Sequence, residues 1–535
     1  MENLKGNLYG GITAAVVALP LALAFGVASG AGAAAGLYGA IFTGLFAALF
    51  GGTKTQVTGP TGPMSVVMAT VITSFIALSP ENGLALAFTV VMLGGLFQIA
   101  MGLLKIGKYI ILVPYPVISG FMSGIGFLII IIQIAPFLGH PITGNSVETI
   151  AALPQLLGTL NTTALIIAAV TLALTFFWPK SLSTYLPAPL AALIGGTVLM
   201  LMVFPDSNII RIGEIPSTLP SLQLPIWDLS LTKDLITSAL LLALLGAIDS
   251  LMTSLVADNM TGTKHNSDRE LIGQGIGNMI SGAFGALPGA GATMRTAINI
   301  KAGGTSQASG AIHAIILLII ALGAGGLVEN IPEAVLAGIL IKVGVDIIDW
   351  DYIKRLFRLP LFSQALMLGV MLATVFVDLM IAVGVGVFIA NLVTIDRLTS
   401  LQLDGLFLTD GTNKSSKLTA AANKALAGFE EKVLLLNLAG PMSFGVAHDL
   451  KSRVREFTAY KTLIIDFSDA AIVGITSALV IEDIIRIEVE KGTPVFLTGL
   501  DDHIRKSFAR LEIFALVPET HILPGYEDAI SASQG

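Results

Sequence analysis

Long apolar stretches, uninterrupted by alternation with polar residues, dominate the chain from its start to about residue 397. A bilayer-spanning helix needs roughly 20 such residues, because each adds about 1.5 Å and the hydrocarbon core is about 30 Å thick. Stretches of this kind recur near 8–28, 35–51, 64–78, 84–104, 109–138, 162–178 and 186–204. After a polar excursion through Arg211 and Asp228 they resume near 234–256, 270–287, 292–300, 308–327, 332–346, 362–377 and 380–396. The pattern predicts an all-α polytopic membrane protein of fourteen transmembrane segments in two sets of seven. The halves also share sequence: LYGAIFTGLFAALFGG from Leu37 lies on LIGQGIGNMISGAFGA from Leu271, matching Gly39 with Gly273 and Gly51 with Gly285. An odd number of spans per repeat forces the second copy to enter the membrane upside down, so a 7+7 inverted repeat is expected.

Beyond Arg397 the pattern changes. We read 1–397 as the transmembrane transport domain, 398–431, with its polar run LTDGTNKSSKLTAAANK, as a linker, and 432–535 as a soluble domain. In the last, KVLLLNLAG, TLIIDFS and PVFLTGL read as buried strands, while GVAHDLKSRVREF and SALVIEDIIRIEVEKG read as amphipathic helices. Strand and helix alternate, which predicts a small cytoplasmic α/β domain.

Composition supports the membrane reading: 54% of residues are apolar, 12% charged, and the mean hydropathy is +0.84. Fifty-seven glycines and 23 prolines sit within this material, as expected where helices pack closely or break inside a bilayer. There is no cysteine, so thiolate chemistry is excluded. The net charge of −7 comes without a basic run, which argues against nucleic acid. Met1 to Gly10 lacks a cleavable signal pattern, so the first apolar stretch is taken as a membrane helix. With the N-terminus inside, the inner connections collect Lys105, Lys108, Lys264, Arg269, Lys354, Arg355 and Arg358, whereas the outer ones carry little beyond Arg211 and Lys233. Positive charge gathers on the cytoplasmic side, so both termini are expected there.

Two interruptions carry the candidate chemistry. VTGPTGPMSVV places Gly59, Pro60, Gly62 and Pro63 inside apolar sequence, and ALPGAGATMRTAI repeats the device with Pro288, Gly289 and Gly291. Proline removes a helical hydrogen bond and glycine permits extended backbone. Helices should therefore start in mid-membrane, near Met64 and Ala292, and two such N-termini facing each other would form an anion site. Backbone amides beside Thr61 and Ala292, with the hydroxyls of Thr61 and Thr293, are the natural donors. Asp249 lies in LLALLGAIDSLMTSLVA, where an unpaired carboxylate costs roughly 2.5 to 3.5 kcal/mol. Thr253 is one turn on, on the same helical face. Carboxylate, hydroxyl and a carbonyl from the Gly291 break would suit a hard cation such as sodium. Two other roles stay open: Arg295, one turn into the second broken helix, could pair with Asp249 or lend charge to the anion site, and Asp249 could couple to protons. His265, beside Lys264 and Asp268, reads as a solvated loop residue. No metal-ligand spacing or Ser/His/Asp arrangement suggests an enzyme.

The PTGP segment, the repeated glycine-rich blocks and IPEAVLAGILIKVGVDIID resemble the sulfate permease family of anion transporters, and the region from about Val433 resembles the STAS domain appended to that family. The resemblance covers nearly the whole chain. LVADNMTGTKHNSDRELIGQGIGN, GAGATM and KVGVDIIDW are most similar to its sodium-dependent bicarbonate transporters. It implies an elevator-like core subdomain, a homodimer, a sodium site at Asp249, Thr253, Gly291 and Thr293, and an anion site at Thr61, Ala292 and Thr293. One position departs: Arg295 stands where those bicarbonate transporters are expected to carry a small residue, and a basic residue is commoner in members moving other anions. In the STAS-like domain, Gly474 stands where the phosphorylatable form has an aspartate before Thr476 and Ser477, so a dimerisation or regulatory role is expected rather than a phosphoswitch. The function expected is sodium-coupled bicarbonate uptake across a bacterial inner membrane, with no cofactor beyond the coupling ion. Rival readings are proton-coupled or exchange transport of sulfate or a dicarboxylate, an anion channel, and a sensor.

Overall fold

The structure, a computed structural model, describes residues 3–533 apart from 111–112, 143–144, 180, 184–185, 206, 214–217, 378, 406, 410–432, 443 and 458–459. It divides into two compact units, Met1–Val387 and Phe388–Gly535.

The first unit opens with α1 (Leu4–Ala28), α2 (Ala33–Phe50), a two-residue strand β1 (Thr58–Gly59), α3 (Gly62–Leu78) and α4 (Gly83–Leu103). Then come α5 (Gly107–Ile110), α6 (Tyr115–Ile132), α7 (Ile134–Phe137), α8 (Ser146–Gly158), α9 (Thr162–Phe177) and α10 (Ala188–Val203). The second half begins with α11 (Thr232–Thr261), α12 (Ser267–Ala283), strand β2 (Ala290–Gly291) and α13 (Thr293–Lys301). It continues through α14 (Gln307–Val328), α15 (Glu333–Ile347), α16 (Trp350–Arg355), α17 (Leu361–Phe376) and α18 (Leu379–Gly405), the last crossing the boundary between the units.

Every expected apolar stretch holds a helix, with two differences. The stretch 109–138 is interrupted: Pro114 caps α6 from an extended conformation, and Gln133 separates α6 from α7. The helix α8 was not foreseen, because its thirteen residues, capped by Asn145 and interrupted by Pro154, are too short to read as a span. It meets α9 at a sharp bend of 119°. Among the described residues six helices are long and apolar enough to cross a membrane alone, or seven if α8 and α9 count as one.

The repeated glycines are placed alike. A Cβ on Gly39 would lie 2.6 Å from the Leu287 carbonyl oxygen, and one on Gly273 would lie 2.4 Å from the Gly51 nitrogen. Each thus lets a helix touch backbone belonging to the opposite half, where hydrogen bonds also cross: Leu287 N–H donates to Ala35 O (2.9 Å) and Asn266 N–H to Gly52 O (3.3 Å). The second matched pair does not share a conformation, since Gly285 has φ +63° while Gly51 has φ −66°.

The second unit is a five-stranded sheet in the order β3 (Phe407–Thr409), β4 (Val433–Met442), β5 (Thr462–Val473), β6 (Val495–Thr498), β7 (Ile522–Leu523). Only β3 pairs antiparallel; the rest are parallel. Both faces are covered, as parallel strands require. Leu434, Leu436 and Leu438 pack with Ile481, Ile485 and Phe508, and the alternate residues Val433 and Leu435 with Ala529 and Ile530. Of the segment expected as a linker, 398–405 continues α18 and 407–409 forms the edge strand β3, while 410–431 lies outside the described residues. Gly474 caps the helix Ile475–Glu490 without a side-chain bond, and the buried Ser477 hydroxyl donates to Met442 O (3.2 Å).

Gly273→Ala forces a methyl group against the backbone of Gly51 and is expected to destabilise the detergent-purified protein by about 1–3 kcal/mol. Gly323→Ala, with open space around its Cβ position, is expected to leave the thermal transition unchanged or raise it slightly. Thermal unfolding of the two variants side by side checks the contrast.

Candidate functional site

Non-helical backbone deep in a membrane protein must find partners inside the protein, since each unpaired group costs several kcal/mol in hydrocarbon. Here the two breaks satisfy each other. Strands β1 and β2 pair antiparallel, Thr58 opposite Gly291 and Gly59 opposite Ala290. Ala292 N–H donates to Val57 O (2.9 Å), Val57 N–H to the Thr296 hydroxyl (3.0 Å), and Gly291 N–H to the Ser250 hydroxyl (3.1 Å).

Because the strands are antiparallel, the helices that follow them leave the crossing in opposite directions, and both N-termini point back at it. The helix α3 begins at Gly62 behind Thr61, and α13 at Thr293 behind Ala292, close to the expected starts. Neither cap residue bonds a first-turn amide with its side chain, so both positive helix ends keep N–H groups without a side-chain cap among the described residues. The amide of Ala292 corrects one expectation: Val57 already occupies it, so the available donors at this end are the first-turn amides from Thr293 onward.

The long helix α11 brings the carboxylate and hydroxyls to this point. The Thr61 hydroxyl donates to Asp249 Oδ2 (2.8 Å). One turn further, the Thr253 hydroxyl donates to Gly291 O (2.9 Å) and shares a 2.7 Å hydrogen bond with the Thr293 hydroxyl. Asp249 and Thr293 also line a cavity of about 430 Å³. Its remaining wall is mainly apolar, from residues such as Phe121 and Met122 of α6 and Leu245 and Ile248 of α11.

Arg295 is placed differently. It is only 2% exposed, does not line the cavity, and its Nη2 donates to Pro60 O (2.6 Å). Its Nη1 is buried without a hydrogen-bond partner among the described residues, against Gly59, where a Cβ would come within 2.6 Å of it. No ion pair joins it to Asp249 among the described residues. Arg295 therefore braces the first break from behind, and its charge reaches the cavity through space. His265 also departs from expectation: its side chain is 5% exposed, with Nδ1 2.7 Å from Asp258 Oδ2 and Nε2 2.9 Å from the Ser267 hydroxyl, and it ties together the turn between α11 and α12.

Of the residues named from sequence, the structure joins Thr61 to Asp249 and Thr253 to Gly291 and Thr293. Sequence reading missed Ser250 and Thr296, whose hydroxyls take up strand amides. The available signal was their position: Ser250 adjoins Asp249, and Thr296 lies one turn after Ala292.

With this geometry in view, comparison with known proteins identifies the class: the chain belongs to the sulfate permease family, whose model matches residues 4–370, with a STAS domain at 426–529. The bicarbonate transporter BicA of Synechocystis is 47% identical over 484 residues, covering 90% of this chain and 85% of that protein. The solved transmembrane domain of a cyanobacterial bicarbonate transporter BicA is 52% identical, with a TM-score of 0.68 over 71% of this chain and 98% of that one. The murine Solute Carrier 26 family member A9 anion transporter, 20% identical, shares the fold with a TM-score of 0.84 over 100% of this chain and 92% of its own. The chain is thus a multi-pass membrane anion transporter and not an enzyme.

Thr61→Val keeps the side-chain volume but takes away the one described hydrogen bond to Asp249. It is expected to destabilise the protein by about 1–3 kcal/mol, the usual cost of taking a hydrogen bond from a charged group. Replacing Asp249 by Asn in the same background should recover part of this, and a double-mutant cycle on thermal unfolding measures it.

Proposed function

We propose that this chain is a sodium-coupled importer of a small oxyanion, with bicarbonate the best-supported substrate, working as a homodimer in a bacterial inner membrane with both termini in the cytoplasm. The observation that carries the proposal is the group of oxygens at the crossing, Asp249, Thr253, Gly291 O and Thr293, beside two helix N-termini and at the edge of the cavity. Carboxylate, hydroxyl and carbonyl oxygens suit a hard monovalent cation, and free helix amides suit an anion. The similarity to the Synechocystis bicarbonate transporter supports the substrate.

The two ligands would assist each other electrostatically. Asp249 on its own opposes an anion at the crossing, because its negative charge cancels much of the field of the two helix ends. Sodium beside it removes that opposition, so the anion binds better once sodium is present, and by reciprocity sodium binds better once the anion is present. Movement of the core subdomain with both ligands aboard then gives symport without a chemical step. Arg295 adds a fixed positive charge behind the site, favouring the anion at every stage of the cycle.

Labelled bicarbonate, sulfate and fumarate are offered to proteoliposomes at fixed pH with and without an inward sodium gradient. Bicarbonate uptake that requires sodium is expected, and Asp249→Ala should abolish the sodium dependence. Uptake of sulfate or fumarate indifferent to sodium would sink the reading. Arg295→Gln removes the charge together with the bond to Pro60 O, which the shorter side chain does not reach, so the half-saturating anion concentration is expected to rise roughly tenfold or more, at least about 1.4 kcal/mol, with the sodium requirement retained.

A further inference from the structure

A carboxylate more deeply buried than Asp249 lies outside the site, on α12. Glu270 is 2% exposed and has no basic partner among the described ion pairs. Instead it accepts four hydrogen bonds. Oε2 takes the amides of Gly52 and Thr53 (both 2.8 Å), and Oε1 takes the side-chain amides of Gln56 (2.9 Å) and Gln274 (2.8 Å). Four donors fill the lone-pair sites of an ionised carboxylate, and neither a protonated glutamate nor a glutamine could accept them all.

Glu270 begins a stripe. Gln274, Asn278 and Ser281 follow at spacings of four, four and three, which places all four on one face of α12, and all are buried. Gln274 Nε2 also donates to the Thr58 hydroxyl (2.7 Å) on β1. Asn278 grips Gly289 with both ends of its amide, accepting from Gly289 N–H (2.7 Å) and donating to Gly289 O (3.0 Å), and it donates to Gln98 Oε1 (2.8 Å). The Ser281 hydroxyl donates to Leu287 O (2.6 Å). The N-terminal half of the stripe therefore holds the approach to β1, and the C-terminal half holds the approach to β2.

We infer that Glu270, Gln274, Asn278 and Ser281 are positioning residues: one polar face of α12 fixes both chain breaks, and so sets the separation of the two half-helix N-termini. The inference rests on the reading of the crossing as the substrate site. None of the four residues lines the cavity, so they act through the backbone they hold. Glu270 reaches the site by a second route as well. The Gln56 amide it binds packs on Gly291, where a Cβ would lie 2.3 Å from Gln56 Nε2, and Gln56 Oε1 accepts from the Ser254 hydroxyl (2.9 Å), next to Thr253.

The test compares full-length Glu270→Gln, Asn278→Ala and Ser281→Ala with Met279→Ala, a partly exposed position on the same helix, using hydrogen–deuterium exchange and bicarbonate uptake. Glu270→Gln is expected to speed amide exchange at least tenfold in 52–66, and Asn278→Ala in 287–297, while the body of α12 keeps its protection. In both variants the half-saturating bicarbonate and sodium concentrations should rise together by at least fivefold, with Met279→Ala unchanged. Should Glu270→Gln fail to fold, Asn278→Ala and Ser281→Ala carry the same test at the second break. Unchanged exchange at the breaks overturns the inference, and so does loosening spread evenly over α2, α4 and α12, which marks a merely structural role. Local loosening at the breaks in a protein that moves neither bicarbonate nor sodium would uphold the clamp and overturn the proposed function instead.

Discussion

The structure depends on one constraint: extended backbone inside a bilayer has to be paired by the protein itself. Neither break can satisfy its own N–H and C=O groups; the two-residue ladder between β1 and β2 pairs the breaks with each other, and side chains of α11, α12 and α13 take up backbone groups that flank it. Much else follows from that solution. The breaks must lie at the same depth, which an inverted repeat supplies without further adjustment. The strands must run antiparallel, so α3 and α13 depart in opposite directions with their positive ends turned inward. Neighbouring backbone must approach closely, which explains Gly39 against Leu287 and Gly273 against Gly51. The anion site we propose is then a by-product of backbone hydrogen bonding.

What could be read from sequence followed from how local each cause was. The apolar stretches reported α1 to α4 and α11 to α15 because membrane insertion selects residues one helix at a time. The breaks were legible because proline and glycine act on the chain where they stand. Asp249 and Thr253 were legible because a carboxylate among leucines has few explanations. Properties that depend on which helix meets which were not legible. The direction taken by Arg295 is settled by the Pro60 carbonyl, sixty residues into the other repeat, and the use of the Ala292 amide is settled by Val57. The edge strand β3 was hidden for a related reason: three residues after a long helix carry no periodicity, and only pairing with β4 makes them a strand.

The two carboxylates, Glu270 buried and Asp249 half-buried at the cavity edge, make the division of labour plain. Each would cost the protein several kcal/mol if left unpaired, and each is stabilised without a contacting cation from the chain. Glu270 takes four hydrogen bonds, two from backbone amides, so its charge is fully used in holding structure. Asp249 takes one described hydrogen bond, from Thr61, and borders the cavity. A carboxylate offers about four lone-pair sites, so most of those on Asp249 are free toward solvent or a ligand. Arg295 lies near enough to contribute to its electrostatic surroundings but is committed to Pro60. A half-buried carboxylate that is still short of partners gains most from a small cation arriving. In the proposed cycle Asp249 is the one of the two that changes partners, and Glu270 keeps the frame in which it does so.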